Sequence, residues 1–106
     1  MSSIRDRQEG FEKKFALDEE SKFKAIARRN KLLGLWAAEQ LGKAGQDADD
    51  YAKEVVRSDF EEAGDDDVFR KVRSDFDAAG ISLPDSEIRS MMAKLLITAV
   101  DQIKNS

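Results

Sequence analysis

The sequence predicts an all-α fold: a small four-helix bundle carrying a flexible N-terminal arm. Three observations lead there. Charged residues make up 38% of the chain and aromatics only 8%, a mixture that suits helices with solvated faces and does not suit a β-sandwich. Val, Ile and Thr are sparse and there is one Pro, so strand-forming side chains are in short supply. Apolar residues recur at intervals of three and four, and glycines fall between the periodic stretches. At 106 residues this is a single-domain length. Residues 21–106, taken as the bundle, sit only slightly above the ~70–80 residues below which a core rarely stabilises a fold unaided.

Residues 1–20 are the expected arm. They alternate charges of both signs and hold few apolar residues. Ile4, Phe11 and Phe15 are spaced seven and four apart, with Leu17 beside them, and on a helix they would form one thin stripe. Such a stripe is too narrow to hold the segment in a core, and an isolated helix of this length is marginal in water. The segment reads as a nascent helix that folds onto a partner. The alternative is that it extends the first bundle helix, since little in it breaks a helix except Gly10.

The first bundle helix is expected from Ser21 to Leu41. Phe23, Ile26, Ala27, Leu32, Leu33, Trp36, Ala37 and Leu41 supply its apolar positions, and Glu20 precedes Lys24 by the four residues that favour an ion pair. Gly34, with Ala37 and Ala38, marks a thin face where another helix comes close. Gly42 ends the helix. A second helix is expected over Ala48–Ala63 with Asp47 as N-cap, burying Ala48, Tyr51, Ala52, Val55, Val56 and Phe60. A third is expected over Asp66–Ala79, with Asp65 as cap and Val68, Phe69, Val72 and Phe76 buried. Val56–Gly64 recurs sixteen residues later as Val72–Gly80, which reads as one helix ending used twice, with Gly64 and Gly80 in the left-handed position. The fourth helix is expected from Ser82, where Ser82 and Asp85 have capping-box spacing around Pro84. Ile88, Met91, Met92, Leu95, Ala99 and Ile103 form its stripe.

Function classes narrow by exclusion. The chain has no Cys and no His, so a thiol site, a histidine triad or a histidine pH switch is ruled out. Gly42-Lys43 fails as a phosphate loop, because Ala37 and Ala44 stand where Gly and Ser/Thr are needed. Asp47–Asp50 fails as a calcium loop at Tyr51 and Ala52. Asp65-Asp66-Asp67 reads as capping and helix-dipole stabilisation rather than as a cation site. No enzyme activity is expected. No run reaches the roughly 18 apolar residues of a membrane span, and the first residues lack the apolar core of a secretory signal, so the expected location is cytoplasmic, without membrane insertion. The net charge of −4 divides unevenly: +3 over residues 1–33, −8 over 34–67 and +1 over 68–106. An acidic waist argues against nucleic acid as a partner. The basic first third leaves Arg28, Arg29 and Lys31 either as a solvated helix face or as a contact for acids or phosphates.

The stretch FEKKFALDEESKFKAIARRNKLLGLWAAEQLG, with Ser58-Asp59-Phe60 and DVFRK further on, resembles the zeta subunit of the alphaproteobacterial F-type ATP synthase. The likeness is densest over Phe11–Gly42. Gln8 and Ile26 depart from the family's pattern, which commonly has an acid at both places. The resemblance implies a regulatory inhibitor: a four-helix bundle whose N-terminal segment enters a catalytic interface of the enzyme's soluble head, folds as a helix and blocks rotation during ATP hydrolysis. The implied partners are the alpha, beta and gamma subunits of that head, and the implied location is peripheral to the inner membrane through the synthase. Carried onto this chain, Ile4, Phe11 and Phe15 become apolar anchors, Arg5, Arg7, Lys13 and Lys14 charged contacts, and Leu17 a further partner-binding residue of the arm. The free chain is expected to be a monomer. No resident cofactor is expected. Two other readings stay open: a regulatory bundle that binds ATP or ADP weakly, with Arg28, Arg29 and Lys31 near phosphate, or an assembly bundle without inhibitory action.

Overall fold

The computed structural model describes residues 18–59 and 65–105, and among these it is all-α. The four helices are α1 (Glu19–Gln40), α2 (Gln46–Ser58), α3 (Asp66–Ala78) and α4 (Asp85–Lys104). The expected arm lies outside the described residues except for its last three positions. Of those, Asp18 caps α1, while Glu19 and Glu20 form its first turn.

α1 begins two residues earlier than the periodicity implies because Asp18 supplies the cap. Its carboxylate accepts a hydrogen bond from the Ser21 amide at 2.7 Å, which satisfies one of the donors that a helix start leaves without a partner. That bond and the Ser21 hydroxyl hold the carboxyl below its ordinary range. The backbone at Asp18 is extended, with ψ 173°, so the α1 helix stops here and does not run back through residue 18. At the far end, Gly42 takes φ +77°. Its amide donates to the Glu39 carbonyl and the Lys43 amide to the Ala38 carbonyl, at 3.1 and 2.8 Å. This pair of bonds closes a helix end around a left-handed residue.

α1 is the element the others share. It packs chiefly against α2 and α4, with a smaller contact to α3, and α3 also meets α2 and α4. The core is built from Leu33, Ala37 and Ala38 of α1, Tyr51 and Val55 of α2, Val68, Val72 and Phe76 of α3, and Ile88 and Met92 of α4. Trp36 is half-buried against this cluster, its ring 5.7 Å from that of Phe76. The thin face at Gly34 is where α2 approaches: a Cβ placed on Gly34 would lie 2.6 Å from the Ala52 Cα. Only hydrogen fits there, which offsets the roughly 1 kcal/mol that Gly costs a helix.

Several caps differ from expectation. α2 starts at Gln46 with Gly45 as N-cap and no side-chain capping bond, so Asp47 is a first-turn residue and not the cap. Gly45 holds φ +57°, a conformation that glycine adopts without the steric cost a side chain would bring. α2 is described to Ser58; Phe60 and Gly64, and with them the first copy of the repeated helix ending, lie outside the described residues. The second copy forms as expected. Gly80 has φ +75°, and the Ile81 amide returns to the Phe76 carbonyl at 2.8 Å. Asp65 stands at the N-cap of α3 but makes no capping bond, because its carboxylate is committed elsewhere. α4 begins at Asp85 with Pro84 at its N-cap, so Ser82 precedes the helix and its capping box does not form. Arg73 holds the connection instead, donating to the Leu83 carbonyl at 2.5 Å and the Asp85 carboxylate at 3.0 Å.

Candidate functional site

The N-terminal half of α1 joins the bundle to the expected arm, and its side chains do not follow the apolar pattern. Phe23 is 70% exposed and Ile26 37%, and Ala27 is exposed as well. The inward positions are Ala25, Arg29, Asn30, Leu33, Gly34, Ala37 and Ala38. These lie on two adjacent rows at intervals of four, one through 25, 29, 33 and 37 and one through 30, 34 and 38. Counting large apolar residues therefore rotates the first two turns of α1 toward the wrong face. The missed signal was the smallness of Ala25, in register with Leu33 and continuing the thin face already marked by Gly34, Ala37 and Ala38.

Burying Arg29 and Asn30 requires partners for every polar atom. Arg29 is 2% exposed. Its Nε donates to Asn30 Oδ1 at 2.7 Å and its Nη2 to Asp65 Oδ1 at 2.6 Å. The Asn30 amide faces the carboxylate of Asp59 at the end of α2 and favours its charged form. One guanidinium thus links α1 to the start of α3, and the neighbouring amide links it to the end of α2. Burial pushes the Asp59 carboxyl above the ordinary aspartate value. The Asn30 amide and the Arg29 charge oppose that rise, while the Asp65 and Asp67 charges add to it. Asp67 is buried too. It meets Arg70 at 2.6 Å through one oxygen, and its Oδ2 has no hydrogen-bond partner.

The expected basic trio is therefore split. Arg29 is an internal strut and presents no charge outward, which corrects the reading of Arg28, Arg29 and Lys31 as one face. Arg28 is exposed and its Nη1 donates to Gln102 Oε1 of α4 at 3.0 Å. Lys31 is exposed. The remaining candidates, Ile4, Arg5, Arg7, Phe11, Lys13, Lys14, Phe15 and Leu17, lie outside the described residues. Two shallow concavities flank the exposed Phe23. One, of about 520 Å³, is lined by Glu19, Glu20, Phe23, Lys24 and Ala27. The other, of about 100 Å³, reaches Ile26, Asn30, Val56 and Asp59. Among the described residues no group of three or more His, Cys, Asp or Glu is arranged to hold a metal ion, and no helix is long and apolar enough to cross a membrane.

A single central helix, three shorter partners and exposed apolar side chains near the start of α1 define a small helical bundle. The comparisons place it more narrowly. The family model described as ATPase inhibitor subunit zeta matches residues 1–102, and the chain belongs to that family. Among solved structures, one described as a solution NMR structure is 51% identical, covers 79% of this chain and 95% of its own, and superposes with a TM-score of 0.71. No curated protein matches. Membership of an inhibitor-subunit family agrees with the regulatory role that the sequence resemblance implied.

Proposed function

We propose that this chain inhibits ATP hydrolysis by an F-type ATP synthase through its N-terminal arm, which folds as a helix in a catalytic interface of the soluble head and blocks rotation. The observation that carries this reading is that the family match runs through residue 1 and spans arm and bundle alike. A family defined by the bundle alone would leave the arm without support. The Asp18 cap supports it, because the α1 helix ends at the junction between bundle and arm. Burying Ile4, Phe11 and Phe15 contributes roughly 1.5–3 kcal/mol each. Ordering the segment costs a few kcal/mol. The surplus is small, so Arg5, Arg7, Lys13 and Lys14 supply charge complementarity, and the bundle adds contacts with the alpha, beta or gamma subunits.

The test is ATP hydrolysis by the cognate catalytic head with the full-length chain and a form lacking residues 2–17, side by side. The full chain inhibits and the shortened one does not. Equal inhibition by both would sink the arm mechanism and leave the bundle as the inhibitory body.

A further inference from the structure

Phe23 and Ile26 are large apolar side chains left uncovered on an otherwise charged surface, and the Val56 edge of α2 lies beside them. Isolated exposed apolar residues are ordinary, but contiguous ones next to a concavity mark a contact surface. The place of this surface in the chain points to its occupant. Ile26 lies about 12 Å along α1 from Asp18 at ~1.5 Å per residue. Residues 11–17 end directly at Asp18, and extended they reach about 23 Å at ~3.3 Å per residue. That segment, Phe-Glu-Lys-Lys-Phe-Ala-Leu, brings two rings, a leucine and two lysines. Acids stand at the rim: Glu19 and Glu20 line the larger concavity and Asp59 the smaller. Glu20 meets Lys24 at 3.4 Å, while Glu19 has no ion-pair partner among the described residues.

We propose that in the free protein residues 11–17 fold back onto the Phe23–Ile26–Val56 surface, with Phe15 and Phe11 over the apolar side chains and Lys13 and Lys14 toward the Glu19 and Asp59 rim. The extended backbone at Asp18 permits the reversal that a continuous helix would forbid. Because the segment is tethered, its local concentration is in the millimolar range expected for short links, so a contact too weak to hold a separate peptide is populated within one chain. If the arm is inhibitory, as proposed above, this contact keeps its rings from water until a partner offers a deeper apolar site, and the partner must outcompete it.

The experiment compares backbone amide and methyl resonances of the full chain with those of a full-length Phe11→Ser/Phe15→Ser variant. Val72 and Phe76 belong to the core cluster, so their resonances report whether the bundle stays folded in the variant. The expected result is a shift at Ile26, Val56 and Asp59, with Val72 and Phe76 unmoved, and the same shifts on dilution. Val56 and Asp59 are remote in sequence from the substitutions, so only contact moves them. A full-length Phe23→Ser variant should speed tryptic cleavage at Lys13 and Lys14 severalfold, because it removes part of the surface that covers them. Changes confined to the neighbours of residues 11 and 15 would overturn the proposal, as would shifts that fade on dilution, which would assign the surface to a second copy. No ATPase enters the readout, so its failure leaves the inhibitory reading standing, and a failure to inhibit leaves this contact standing.

Discussion

The two halves of α1 belong to one helix and obey opposite rules. From Leu33 to Ala38 the inward face is apolar or small: Leu33, Ala37 and Ala38 are fully buried, and Gly34 admits the backbone of α2. From Phe23 to Asn30 the inward face holds Arg29 and Asn30, while Phe23 and Ile26 point outward. The first half-helix is held by polar contacts to charged groups at the ends of α2 and α3, the second by close packing. Under the proposed function, a helix that joins a bundle to an inhibitory arm gains from this division. Close packing at one end fixes its direction, and uncovered apolar side chains at the other leave something to bind.

Substitutions at each end sharpen or break this contrast. The largest effect is expected from Phe76→Ala. The side chain is fully buried and meets Trp36, and truncation at such a site costs about 3–5 kcal/mol, readable as a fall in the urea midpoint. Arg29→Ala should follow. Removing one member of a buried pair costs about 3–5 kcal/mol when the other stays dry, but the Asp65 side chain is 49% exposed and rehydrates, so about 2–3 kcal/mol is expected. Equal stability of the variant would show that the polar half of α1 contributes nothing to holding the bundle. Gly34→Ala should cost about 1–3 kcal/mol through overpacking against the Ala52 backbone, despite alanine's better helix propensity; a gain in stability would mean that α2 can retreat freely.

Asp59 gives a smaller effect with a definite sign. Its folded pKa is raised by burial, so between the ordinary aspartate value and the raised one the folded state binds more protons than the unfolded state. Stability from this group therefore falls as pH rises through that window, and the penalty is fully present at neutral pH. Asp59→Asn should stabilise the protein slightly at neutral pH and remove this part of the pH dependence in urea titrations on the acid side. The smallest change is expected from Phe23→Ser: at 70% exposure its effect on the urea midpoint should stay within about 0.5 kcal/mol. Phe23 and Phe76 then form a matched pair, the same residue type on opposite sides of the division.

What could be read in advance follows the reach of each interaction. The fold class, the four helical stretches, the close approach at Gly34 and the helix ending at Gly80 were legible because they depend on periodicity and on backbone conformations that favour glycine. The core faces of α2, α3 and α4 were legible for the same reason; Tyr51, Val55, Val72 and Ile88 repeat at three and four and are buried. The first turns of α1 misled because the periodicity of Phe23, Ile26 and Ala27 is genuine but faces outward. The caps at Asp47 and Ser82 misled for a related reason, and Asp65 stands at its expected N-cap position without making the capping bond. Capping residue types state a local preference, and Asp65 had a distant claimant in Arg29 while Arg73 held the connection at Ser82.

The sequence by itself determined that this chain is helical, where its helices end in glycine, and which family it belongs to, since all three rest on local propensity or on residue identity in order. Only the tertiary structure decided which side of α1 faces in. That depends on α2 and α4 arriving together, with Asp59 and Asp65 positioned to take the polar groups of Asn30 and Arg29. Burial of a charge is favourable only when its partner is already in place, and no reading of one helix alone contains the partner.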